Sequence, residues 1–63
     1  MLIIKLVDAQ SKLVIGSCLR DAAPRELEFI RHGGLRYQVV AVEWDYEKAG
    51  TNVELHLSFP TAP

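Results

Sequence analysis

One cysteine in 63 residues means that no disulfide can form within the chain, which removes the staple most often found in so small a domain. A lone Cys18 suits a reducing compartment, and a cytoplasmic location is expected. Histidine is scarce as well. Only His32 and His56 could join Cys18 around an ion, and no two of the three stand at a ligand-like local spacing, so neither a metal nor another cofactor is expected. No apolar run approaches the roughly 20 residues that cross a bilayer, and no membrane association is expected. Residues 1–7, interrupted by Lys5 and followed by Asp8, read as a strand and not as a signal peptide. A net charge of −1 gives no electrostatic reason to expect nucleic acid or an anionic membrane surface.

The charge is nevertheless uneven. Residues 1–36 hold six basic and four acidic side chains, whereas residues 37–63 hold one and four, so the two parts carry +2 and −3. Arg20, Arg25, Arg31 and Arg36 could form a local basic patch, with Asp21, Glu26 and Glu28 among them.

What the chain does have is β-branched and aromatic residues in short runs. The longest spans residues 35–44, LRYQVVAVEW, directly after Gly33 and Gly34. A strand with one wet face alternates apolar and polar residues, yet Val39-Val40-Ala41-Val42 is apolar on both faces. Either a long strand bends to serve two halves of a small barrel, or its outer face meets another subunit.

The rest of the chain fits around this strand. Residues 2–8 alternate, with Leu2, Ile4 and Leu6 toward the core. Asp8 and Ser11 then have the side chains to bond back to the main chain in a turn. A second strand over about 13–20 contains Gly16, a residue that marks a bulge or sharp bend inside a strand. It groups Leu13, Ile15, Ser17 and Leu19 on one face and Val14, Gly16, Cys18 and Arg20 on the other. Residues 53–59 alternate without error, Val53, Leu55, Leu57 and Phe59 inward and Glu54, His56 and Ser58 outward. Residues 45–52 form a polar loop, and residues 60–63 a loose tail closed by prolines.

The stretch after Pro24 has two readings. As a short helix at about 24–32 it has proline first, arginine and histidine last and glycine beyond, which would make the fold α+β. As a strand it turns at the glycines into the central run. A two-residue Gly33-Gly34 loop sets Arg31 opposite Arg36, a like-charge pair; a three-residue loop from His32 sets Phe29 opposite Tyr37 and Leu27 opposite Val39. The second register is the chemically better one, and the hairpin is preferred to the helix.

Pro24, Gly34, Tyr37 and then Val39-Val40-x-Val42-x-Trp44 stand at a spacing that resembles small bacterial and phage SH3-like β-barrel proteins, mostly uncharacterised. The resemblance covers about 21 of the 63 residues and implies an extended segment after the proline. It implies nothing about activity. Many such sequences carry glycine three residues after the proline, where this chain has Leu27.

The expected fold is therefore one all-β domain over residues 1–63, a small SH3-like barrel of five antiparallel strands. The expected role is a non-enzymatic protein-interaction module, self-associated as a homo-oligomer. Trp44 and Tyr46 share strand parity where the strand leaves the core and, with Val40, would lead the contact. Glu43, Asp45 and Glu47 would frame it as an acidic row that discourages unwanted strand pairing. The alternative is nucleotide or oligonucleotide binding by Arg20, Arg25, Arg31 and Arg36 with Trp44 stacking on a base. An enzyme with a site shared between subunits, using His32 or His56, is the remotest reading. Ordinary exposed histidines are expected at both positions, a packed thiol at Cys18, and Phe29, Tyr37 and Phe59 in the core.

Overall fold

The computed structural model describes residues 1–47, 49–50 and 52–60. Five strands form the fold: β1 (Leu2–Asp8), β2 (Val14–Arg20), β3 (Phe29–His32), β4 (Leu35–Trp44) and β5 (Val53–Leu57). No helix occurs among the described residues, so residues 24–32 are not the helical alternative: a turn over residues 25–28 leads into the strand at Phe29–His32. Of the proposed tail, residues 61–63 lie outside the described set.

The sheet order is β2-β1-β5-β4-β3, and its members are not all antiparallel as expected: β1 and β5 run parallel. Parity explains this. Strands joined by hairpin-like reversals alternate in direction, so when the first and fifth become neighbours they must point the same way. The sheet curls into a half-barrel left open between β2 and β3, where no Cα of one strand comes within 8 Å of a Cα of the other.

Each central strand places one row of apolar side chains inside. Ile4 and Leu6 of β1 and Val53, Leu55 and Leu57 of β5 are buried together with Tyr37 and Val39 of β4. Each such side chain contributes about 1.5–3 kcal/mol by leaving water. Leu2, Cys18, Ile30 and Val42 pack around them. Phe59 departs from expectation: β5 ends at Leu57, and the phenylalanine two residues on is exposed. Phe29 is exposed as well, because it lies on the outer side of β3, where the Arg36 guanidinium sits 4.0 Å above its ring.

The β3–β4 hairpin takes the register with the two-glycine loop, not the preferred one. Ile30 faces Tyr37, Arg31 faces Arg36 and His32 faces Leu35. Backbone conformation outweighs the like-charge pair: Gly33 and Gly34 both have positive φ, 61° and 80°, as the tight turn favoured between twisted strands requires. Arg36 also turns its charge onto the Phe29 ring, a contact worth about 0.5–1 kcal/mol at an exposed site.

A β-bulge changes the meaning of the doubly apolar run. Val39 pairs with Leu57 and Ala41 with His56, leaving Val40 as the extra residue. The bulge resets the alternation, so that Val39, Val42 and Trp44 align with inward-facing Leu57, Leu55 and Val53, while Val40 and Ala41 remain exposed. A second bulge lies between Leu6 and Val7, where the partners pass from Gly16 to Val14. Val14 thereby joins Ser17 and Leu19 on the outer face, away from Gly16 and Cys18.

The turn before β3 carries strain. Glu28 N–H donates to the Arg25 carbonyl at 3.2 Å, and Leu27, third residue of that turn, has φ 77°. This is the position of a type II turn that ordinarily calls for glycine. Leu27 N–H donating to Val39 O and Val39 N–H donating to Glu28 O hold it there, at 2.7 and 2.8 Å. Leu27→Gly is expected to raise stability by roughly 0.5–1 kcal/mol in urea melts. The left-handed strain it relieves exceeds the backbone entropy that glycine adds to the unfolded chain, and the leucine side chain is mostly exposed. An unchanged or lower midpoint would show that the leucine contributes packing that outweighs its backbone.

Candidate functional site

The interaction residues expected from the sequence lie on the second half of β4 and in the segment just beyond it, with Val40 and Trp44 on different faces of the strand. Val40 stands at the β4 bulge and is 39% exposed. Trp44, 48% exposed, ends the same strand on the inner-face row and borders a shallow cleft with Pro24, Arg25, Glu26 and Val42. Tyr46 lies in the turn beyond, 91% exposed, so it does not continue the parity of Trp44 along a strand. Asp45 is half-buried and accepts the Glu47 N–H through Oδ1 at 2.9 Å, and its own N–H donates to the Asn52 carbonyl. The strand ends at Trp44, so Glu43, Asp45 and Glu47 do not form a row.

Three of the four arginines are neighbours, since Arg31 faces Arg36 across the β3–β4 hairpin and shares a cavity with Arg20, while Arg25 stands apart. Arg20 and Arg31 border the same cavity of about 170 Å³ at the open seam, Arg25 lines the Trp44 cleft, and Arg36 stacks on Phe29. The seam cavity has Ile4 and Leu55 among its floor residues and Cys18, Arg20, Arg31 and His32 around it, with no carboxylate in its lining. His32 is half-buried and lies across Gly16 of β2; its Nε2 would stand 2.9 Å from a Cβ at that glycine. Gly16 is therefore where the absence of a side chain lets β3 reach toward β2.

The β1–β2 hairpin carries exposed apolar side chains. Register places Ile3 beside Leu19 and Val7 beside Val14 on the outer face, and Leu13, Val14 and Leu19 are all more than half exposed. Among the described residues β2 has no strand neighbour on its far side, and Arg20 is its one charged residue. Long apolar edges of this kind are templates for pairing with another chain. The turn at one end of the hairpin is well made. Asp8 Oδ1 accepts the Gln10 N–H at 2.9 Å, and this bond holds the Asp8 carboxyl below its ordinary pKa.

On the same outer face, at the middle of the sheet, β4 and β5 bring Glu43, Glu54 and His56 together. His56 Nε2 lies 3.6 Å from Glu43 Oε1 and 3.7 Å from Glu54 Oε1, and Lys5 Nζ lies 3.5 Å from Glu54 Oε2. His56 is thus not the ordinary exposed histidine expected, since only 19% of its side chain meets solvent. The sequence signal was faint: Glu54 and His56 show outward parity, but their pairing with Glu43 depends on the register across the bulge.

Comparison with protein-family models, with curated proteins and with solved structures gives no match. Among the described residues no helix is long and apolar enough to cross a membrane.

Proposed function

We propose that this chain is a non-enzymatic interaction module whose partner is a second copy of itself, joined through the free edge and outer face of the β1–β2 hairpin. The single observation that carries the reading is the β2 edge, seven residues long and unpaired among the described residues, with Val14 and Leu19 exposed within it and Leu13 exposed just before it. A strand edge is self-complementary, because two copies related by a two-fold axis pair antiparallel and bury the same side chains on each. A chain of this size buries only about 60% of its unfolded surface, and association supplies the remainder of the apolar burial. Val40, Trp44 and Tyr46, expected from the sequence to lead the contact, are exposed on and just beyond β4 and not on this hairpin.

Light scattering tests this. The expected mass is a multiple of 7.1 kDa at micromolar concentration, and Leu19→Lys is expected to reduce it to the monomer by placing a charge in the contact. A strict 7.1 kDa species for the unaltered chain overturns the reading. A SH3-like classification of the half-barrel is part of the proposal and rests on the Pro24-to-Trp44 spacing.

One observation favours a second reading. Arg20, Arg31 and His32 border one cavity without an acidic counterpart, which suits a small anionic group. Its volume lies below the roughly 300 Å³ at which small-molecule sites begin, so a phosphate or carboxylate fits this reading better than a nucleotide with its base. Binding would weaken with added salt.

A further inference from the structure

The outer face of the central strands carries a two-by-three grid of side chains. One row reads Lys5, Glu54, Glu43 across β1, β5 and β4; the next reads Val7, His56, Ala41. Two carboxylates thus stand directly opposite each other, a like-charge pair that costs free energy in a sheet. The register, fixed by the inward-facing Leu55–Val42 and Leu57–Val39 pairs on the other face, gives them no way to slip apart. An imidazole nitrogen faces both.

We infer that Glu43, Glu54 and His56 form a binding site for a divalent ion of the zinc class. A tetrahedral ion with bonds of about 2.0–2.1 Å holds its donors about 3.3–3.4 Å apart. Here His56 Nε2 is 3.6 Å from one carboxylate oxygen and 3.7 Å from the other, and all three donor atoms lie within 4.8 Å of one another. The two His56 distances need shifts of a few tenths of an ångström, and the two carboxylate oxygens, within 4.8 Å of each other, close the remainder by rotation of the glutamate side chains.

The surroundings favour the same ligand. Lys5 engages Glu54 through Oε2, so it orients the carboxylate and leaves Oε1 toward the site, as outer-shell partners of metal ligands do. Val7 is buried on one side of His56 and Ala41 is small on the other, so the imidazole has a packed flank and an open one. One nitrogen and two carboxylate oxygens suit zinc better than magnesium, which asks for six oxygens at octahedral angles. Three protein donors leave a fourth position for water. The site faces away from the core, and its three donors lie on β4 and β5, while its neighbours Lys5 and Val7 belong to the β1 face proposed for self-association.

Calorimetric titration of the full chain with zinc chloride tests the inference. One ion per chain is expected, released by EDTA, and cobalt in its place is expected to give the visible absorption of a four-coordinate site. His56→Ala and Glu54→Gln should each weaken binding at least about tenfold, whereas His32→Ala and Cys18→Ser should leave it unchanged. Glu43→Gln, at a largely exposed position, keeps the test open should Glu54→Gln fail to fold. No zinc uptake by the unaltered chain overturns the inference, as does uptake that survives both His56→Ala and Glu43→Gln.

Discussion

Leu55→Ala is expected to unfold a large fraction of the protein at room temperature. Leu55 is 1% exposed and sits on β5 between the parallel β1 and the antiparallel β4, in register with Leu6 and Val42. Truncating a buried leucine costs about 2–5 kcal/mol, from lost transfer free energy and from the cavity left behind. A chain this size has a total stability of only about 3–9 kcal/mol at 0.05–0.15 kcal/mol per residue. Loss is expected near the upper part of that range, since neighbours on two paired strands cannot collapse into the gap without breaking ladders. Urea denaturation followed by Trp44 fluorescence measures it. A loss below about 1 kcal/mol would mean that the core lies elsewhere.

Gly16→Ala and His32→Ala are expected to be strongly non-additive. A Cβ at residue 16 meets His32 Nε2 at 2.9 Å and Cε1 at 3.0 Å, closer than packed atoms allow. Those atoms are the far end of a side chain, so the imidazole swings out and the backbone stays. Gly16→Ala alone should cost about 1 kcal/mol, through loss of the cover that His32 gives the seam. In a His32→Ala background the same change should gain roughly 0.5–1 kcal/mol, because alanine restricts the unfolded chain more than glycine does. The coupling is then about 1.5–2 kcal/mol, well above the few tenths found for independent sites. Additivity within that error would mean that the imidazole does not rest on Gly16.

Much of the fold was legible because the strand period of two is written in side-chain polarity. Val53, Leu55 and Leu57 against Glu54 and His56, and Ile4 and Leu6 against Lys5, announce their inner and outer faces without reference to any partner. The Asp8 turn was legible for an equally local reason, since its carboxylate bonds two residues along the same chain. The glycine pair marked a hairpin, but charge arithmetic on Arg31 and Arg36 selected the wrong register. Local side-chain preference was set against backbone conformation, and the positive φ of two glycines prevailed. At Leu27, where many of the sequences it resembles carry glycine, the structure shows the conformation of a glycine borne by a leucine.

The sequence by itself determined that the chain is built from strands, which residues face inward in β1 and β5, and that a turn lies at Gly33 and Gly34. Those properties follow from local periodicity and local backbone freedom. The tertiary structure alone decided that β1 and β5 run parallel, that bulges at Val40 and beside Val7 turn Ala41 and Val14 outward, and that Glu43 meets Glu54 and His56. Each of these is a relation between strands distant in sequence. One extra residue in a ladder reverses the facing of everything beyond it, and no residue announces that by its own chemistry.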